Sequence, residues 1–192
     1  STRKESSAAS DVYKRQGTDM GMVTVTTRNE QLELRPFTLA DTEDYYDLVR
    51  DPSIAASAGF TPAHSLVEAE FLLKQQAKLP QIFAIELTAT HRVIGSVGLY
   101  ERMTNTGEPA TLEMDLGYML NARYWGRGIM TAAVARILRY GFETLHLRRI
   151  TASCLANNPA SKRILEHANF RQYDAVRHPD YAPFGAGQTE LF

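Results

Sequence analysis

The chain has 192 residues, 44% hydrophobic and 22% charged, which fits one soluble globular domain with a real core and excludes disordered and fibrous classes. Lysine plus arginine number 21 against 22 acidic residues, so the net charge of −1 gives no general pull toward nucleic acid or an anionic membrane, and any anionic ligand must be met locally. A single cysteine excludes an intrachain disulfide, no apolar run approaches a membrane span of about 18 residues, and no secretory leader pattern is present, so a cytoplasmic protein is expected.

Residues 1–19 contain almost nothing apolar beyond Val12 and Tyr13 and have no face to bury. Within them SSAASDVYKRQ resembles the in-frame translation of a sequencing adapter, so 1–19 are expected to be a disordered tail, a library scar ahead of a metagenomic gene, and 20–192 a single domain. Leu32, Glu33, Leu34 and Arg35 alternate as a first strand stopped by Pro36. Thr38 or Asp41 caps a helix running to about Arg50 and ended by Asp51-Pro52. Thr61-Pro62 signals a second helix to about Lys78, carried by Leu66, Ala69, Glu70, Phe71 and Leu73.

Residues 81–88 (QIFAIELT) and 93–101 (VIGSVGLYE) are β-rich runs joined by a short polar turn, a hairpin signature, and 111–120 (TLEMDLGYML) adds a fourth strand. A tight segment, 121–128, leads into 129–145, where Met130, Val134, Ile137, Leu138, Gly141 and Phe142 recur at helical spacing. Residues 149–155 (RITASCL) alternate as a fifth strand, Asn157-Asn158-Pro159 opens a helix ending near Ala168, and 170–177 read as a sixth strand, with a short seventh available at 188–192. Strand, helix and strand in the middle require a crossover, so the sheet is mixed.

Chemistry concentrates at Arg123-Tyr124-Trp125-Gly126-Arg127-Gly128-Ile129-Met130-Thr131, between a strand end and a helix start. Two glycines two apart let backbone N–H groups converge on an anion at the positive helix end, with Arg123 and Arg127 adding charge. No Gly-Lys-Ser/Thr follows and the third glycine of a dinucleotide fingerprint is missing. On the fourth strand Glu113, Asp115 and Gly117 share one face. Cys154 reads as a small packed strand residue, Tyr124 and Trp125 as packing beside the cradle, and the five histidines show no ligand spacing, so no metal is expected.

Arg123-x-x-Gly126-x-Gly128 resembles the Gln/Arg-x-x-Gly-x-Gly/Ala signature of the GNAT N-acetyltransferases. Leu32-x-Leu34-Arg35-Pro36, Gly117-Tyr118, and Asn158-Pro159-Ala160-Ser161 at the head of the last helix are similar to the RimJ/RimL-like branch, which acetylates ribosomal-protein N-termini. The resemblance implies an α/β GNAT fold, with a mixed, mostly antiparallel sheet of six or seven strands flanked by about four helices and splayed between its fourth and fifth strands. It implies acetyl-CoA as cosubstrate, its pyrophosphate on the backbone of Gly126, Arg127, Gly128, Ile129, Met130 and Thr131. The pantetheine arm would lie along Tyr118, Met119 and Leu120 and be held by Asn158. The tyrosine that many members carry four residues after the last-helix serine is Leu165 here, leaving Ser161 to protonate the departing thiolate.

Acetyl transfer needs a neutral amine. An α-amine with pKa about 8 supplies a useful fraction at pH 7, whereas a lysine at about 10.4 costs about 1.36 kcal/mol per pKa unit of deprotonation, so a carboxylate or water relay is expected. Asp115, before the Gly-Tyr pair, and Glu113, one pleat away, are the candidates. The expected reaction is direct attack by a primary amine, either a protein N-terminus or a small molecule such as an aminoglycoside-like antibiotic, for which Asp41, Glu43, Asp44 and Asp47 offer an acidic face. A non-catalytic acyl-CoA-binding module and a nucleotide-binding domain are the rival readings, and a monomer or homodimer is expected.

Overall fold

The computed structural model describes residues 20–181 and 188–192, so the expected tail at 1–19 lies outside the described residues. A six-stranded sheet has the order β1 (Val23–Thr26), β2 (Gln31–Arg35), β3 (Ile82–Leu87), β4 (Arg92–Met103), β5 (Pro109–Leu120) and β6 (Arg149–Thr151). All neighbours are antiparallel except β5 and β6, which pair in parallel across the expected crossover. Every residue of β3 is buried, because helices cover both faces of the sheet. Leu34, Phe83, Val97, Leu116, Val134 and Ile137 belong to the core on one face, and Phe37, Tyr45, Leu73 and Ala84 to the core on the other.

Five α-helices occur among the described residues, against about four expected, because Asp51-Pro52 starts a helix rather than only ending one. Helix α1 (Thr42–Val49) closes at Arg50, and the Asp51 carboxylate then accepts from the N–H groups of Ser53 and Ile54, with proline at the first position of α2 (Pro52–Ala58). Thr61-Pro62 opens no helix. Instead Ser65 accepts from Glu68 N–H while the Glu68 carboxylate accepts from His64 N–H, and α3 spans Leu66–Ala77. Ala69 and Leu73 form its buried face, whereas Phe71, expected there too, is exposed.

Helix α4 (Ile129–Arg139) gives way to a π-helical turn, Tyr140–Thr144, inside the expected helix. The expected fifth strand divides: β6 joins the large sheet, while β7 (Cys154–Leu155) turns away to pair with β9 (Thr189–Leu191), which also pairs with β8 (Ala175–Arg177). Only that last triplet of the expected strand 170–177 is extended in a ladder. Between β7 and β8 lies α5 (Pro159–His167). β1, absent from the sequence reading, adds an edge through Val25 opposite Leu32.

The Arg35-Pro36 pair has a structural role. The Arg35 guanidinium donates to Asp41 at 2.8 Å and to Glu86 at 2.6 Å, tying β2 to the entry of α1 and to β3. Its own pKa is raised, chiefly by the hydrogen bond to Asp41 against the opposing effect of burial. Burial pushes Asp41 up, but the hydrogen bonds from Arg35 and Thr38 outweigh it, and Arg35 is the main cause that holds Glu86 down as well.

Candidate active site

Strand β5 organises the site. It pairs with β6 only over Glu113–Asp115 and Arg149–Thr151, and beyond this the following chain leaves for the small sheet. Residues 116–120 therefore border a gap in the sheet. Asn121 N–H donates to Ile94 C=O of β4 and Arg148 N–H donates to Leu112 C=O, so backbone alternation turns the N–H and C=O groups of Leu116, Tyr118 and Leu120 toward the gap. Trp125 Nε1 covers the last of these, donating to Leu120 C=O at 2.7 Å.

The chain then turns through a short 3-10 segment, Ala122–Tyr124, begun by Asn121, whose side chain accepts from Arg123 N–H. Gly126 and Gly128 follow with φ of +74° and +77°, conformations that glycine adopts without strain, and a Cβ on either would meet no protein atom within 4 Å. Among the described residues, the N–H groups of Gly126, Arg127, Gly128, Ile129, Met130 and Thr131 donate no hydrogen bond, and no side chain caps α4. This is an open fan of donors at a positive helix end, the feature an anion such as a pyrophosphate requires. The side chains of Ile129 and Met130 are buried, so their part is confined to the backbone.

The two arginines differ. Arg127 pairs with Glu30 at 3.0 Å and lies over the Tyr124 ring, while the exposed Arg123 makes no ion pair among the described residues.

The faces of β5 separate the other expected residues. Tyr118 and Leu120 join the core beneath α4 and α5, while Met119 packs against the opposite core and turns its backbone groups toward β4, so the expected cofactor row is divided and Met119 faces away from the gap. On Met119's face lies Asp115, the last β5 residue paired with β6, whose carboxylate accepts from the Thr151 hydroxyl. Glu113 lies one pleat back in the closed ladder and pairs with Arg102 at 3.8 Å. Gly117 is required by the Tyr100 ring, which a Cβ would approach to 2.6 Å.

On the other face Asn158 caps α5, its side-chain oxygen accepting from Ser161 N–H at 3.1 Å. Ser161 Oγ lies 2.5 Å from the Tyr118 hydroxyl, a contact absent from the sequence reading. Burial pushes the Tyr118 phenol up to about 12, with the Ser161 hydrogen bond opposing. Leu165, at the position of the family's tyrosine, is buried in the core, and Cys154 is a packed strand residue whose thiol burial pushes up.

A mostly apolar cleft of about 680 Å³ opens nearby, lined by Thr151, Cys154, Leu165, Phe170 and Tyr173 among others. It contains none of the cradle residues, so it lacks the donors an anion needs. The acidic face of α1 is partly consumed: Asp41 is committed to Arg35, and Asp44 binds Arg92 at 2.7 Å and accepts from Val93 N–H.

The sequence model of the GNAT acetyltransferase domain matches residues 31–171. The uncharacterized N-acetyltransferase p20 of Bacillus licheniformis is 27% identical over 157 residues, covering 79% of this chain and 85% of that protein. The fold is similar to that of Mycobacterium smegmatis RimJ in complex with CoA-disulfide, with a TM-score of 0.71, 21% identity and coverage of 88% of this chain and 84% of that one. It is equally similar to the ribosomal-protein-S5-alanine acetyltransferase of Vibrio fischeri, with a TM-score of 0.71, 20% identity and coverage of 88% and 93%. The chain belongs to the GNAT acetyltransferase family and is an N-acetyltransferase.

Proposed function

We propose that the chain transfers the acetyl group of acetyl-CoA to a primary α-amine by direct attack across the gap beside β5. The observation that carries this reading is the unpartnered N–H fan of residues 126–131, set where the open edge of β5 ends. In this reading the fan holds the pyrophosphate, with Arg123 the cation available to it. The gap-facing backbone of Leu116 and Tyr118 lines the pantetheine arm, and the part of Asn158 falls to its side-chain amide nitrogen, since its oxygen is used in the cap.

Asp115 takes the amine proton, directly or through water, because it stands where the ladder opens and is positioned by Thr151. Glu113 is the weaker candidate, since its charge is already met by Arg102. Ser161 meets the leaving sulfur from the opposite face of β5.

The similarity to the solved ribosomal-protein-S5-alanine acetyltransferase of Vibrio fischeri and the modest deprotonation cost of an α-amine favour a protein N-terminus as acceptor. The internal commitments of Asp41 and Asp44 weigh against a polycationic small molecule. The test is thiol release from acetyl-CoA with N-terminal peptides, polyamines and aminoglycosides offered separately, followed by mass spectrometry of the product. Turnover restricted to peptides, with the acetyl on the α-nitrogen, is expected. Release only with aminoglycosides or polyamines refutes the acceptor assignment, and CoA binding without release for any amine refutes the reaction.

A further inference from the structure

Tyr118, expected only as a wall of the cofactor groove, makes a short hydrogen bond from β5 to α5. Its hydroxyl is 2.5 Å from Ser161 Oγ and 3.5 Å from Ser161 C=O. The backbone of Ser161 is fixed in the first turn of α5, where its N–H donates to the Asn158 side-chain oxygen, so its hydroxyl starts from a set position beneath Tyr118. We infer that Tyr118 is a positioning residue that orients and resupplies the Ser161 proton, so that the two hydroxyls protonate the departing thiolate as a relay. The inference rests on the acetyl-transfer reading above.

Direction follows from acidity. A phenol is a much stronger donor than an aliphatic alcohol, so the short contact is best made by Tyr118 Oη–H donating to Ser161 Oγ. The Ser161 proton is then left for a third group. The phenol, pushed up to about 12 by burial, keeps its proton throughout the neutral range. Cys154 of β7 also influences Tyr118, and its own thiol is pushed up by burial, so it stays neutral beside the pair. Serine alone is a poor acid, because an alkoxide left in a half-buried site has nothing to stabilise it. With Tyr118 behind it, Oγ receives one proton as it gives one up.

The step balances. The amine nitrogen bonds to the thioester carbonyl carbon, the C–S bond breaks with its electron pair going to sulfur, and sulfur takes the Ser161 proton. Ser161 takes the Tyr118 proton, and the phenolate recovers one from solvent before the next turnover. The ammonium proton leaves separately on the Asp115 side. The relay also accounts for the missing tyrosine on α5: Leu165 belongs to the core, and a phenol reaches Ser161 from β5 instead.

The experiment compares Tyr118→Phe, Ser161→Ala, Ser161→Thr and the double variant Tyr118→Phe/Ser161→Ala by thiol release, with proton inventories in H₂O/D₂O mixtures for the parent and Tyr118→Phe. Expected are losses in kcat of about 10- to 100-fold for Tyr118→Phe and for Ser161→Ala, with CoA KM little changed, and a double variant no worse than the worse single one. Ser161→Thr, which keeps a hydroxyl, should retain most activity. The parent inventory should be bowed, with two protons in flight, and that of Tyr118→Phe linear.

Parent-like kcat in Tyr118→Phe, a defect confined to KM, or losses that multiply in the double variant would each overturn the relay while leaving acetyl transfer intact. A parent that binds CoA and transfers nothing overturns both.

Discussion

Gly128 is the residue on which the cradle most depends. It sits at φ +77° immediately before α4, and a Cβ there meets nothing within 4 Å. Substitution therefore costs backbone strain rather than a clash with protein, about 1–2 kcal/mol for alanine. In a domain of this size that lowers Tm by about 2–8 °C. Gly107, at φ +80° and equally uncrowded, is the matched control, because it lies at the far end of β5, roughly 35 Å from the cradle at about 3.3 Å per strand residue.

Gly107→Ala should lose similar stability and keep CoA affinity. Gly128→Ala should also bind CoA at least tenfold more weakly, since its Cβ enters the space left for the phosphates, or its backbone relaxes and the N–H groups cease to converge. At CoA set to 100 times the parental Kd, ligand stabilisation should fall from about 2.7 to about 1.4 kcal/mol. Calorimetry and thermal melts with and without CoA measure both quantities. Equal CoA affinity in Gly128→Ala and Gly107→Ala would refute the cradle.

Arg35→Met should destabilise by about 3–5 kcal/mol, because the buried Asp41 and Glu86 carboxylates lose their shared cation and keep only their contacts with Thr38 and His91, and a denaturant titration reads the loss. Both carboxyls are held below their ordinary values, so their contribution is present above about pH 4 and disappears as pH falls through the lower folded-state values. The parent should accordingly lose stability on acidification below pH 4, and Arg35→Met should not show that component. Asp115→Asn should lose kcat/KM by about 10- to 1000-fold near pH 7 and recover toward pH 9, where the amine is already neutral, with CoA affinity kept; a parent-like pH–rate profile would remove Asp115 as the base. A chain begun at Met20 should match the full chain in Tm and activity, since the preceding residues have almost nothing to bury, and a drop in either would show that they belong to the domain.

What was legible followed local physics. The Arg123-x-x-Gly126-x-Gly128 spacing, the helical period of 129–139 and the β-rich runs of β3, β4 and β5 are encoded in neighbouring residues. Asp51-Pro52 misled because the same two residues end one helix and begin the next, and only the Asp51 carboxylate on Ser53 N–H distinguishes the two roles. The division of RITASCL into β6 and β7 could not be read, because its alternation runs on while its hydrogen-bonding partner changes from β5 to β9. Arg127 looked like a phosphate ligand because its partner Glu30 lies 97 residues away. Tyr118 and Ser161 each belong to a recognisable motif, but nothing local announces a contact across 43 residues.

The register of one strand connects these features. Asp115 and Tyr118 are three residues apart on β5, so they lie about 10 Å apart along it and on opposite faces. In the proposed reaction the proton lost by the amine and the proton gained by the sulfur therefore travel on different sides of the sheet, with the reacting carbon between them in the gap. Separation matters, because a Ser161 or Tyr118 hydroxyl beside Asp115 would spend its proton on a hydrogen bond to the carboxylate instead of presenting it to the sulfur. A one-residue slip of β5 would exchange the faces, placing the carboxylate among the apolar side chains under α4 and turning the phenol to the opposite side of the sheet. Gly117, pressed against the Tyr100 ring, and Leu112, whose carbonyl receives Arg148 N–H, fix that register from the two sides. A substitution that loosens either, such as Gly117→Ala, should thus impair transfer more than CoA binding, because the cradle lies beyond the end of the strand.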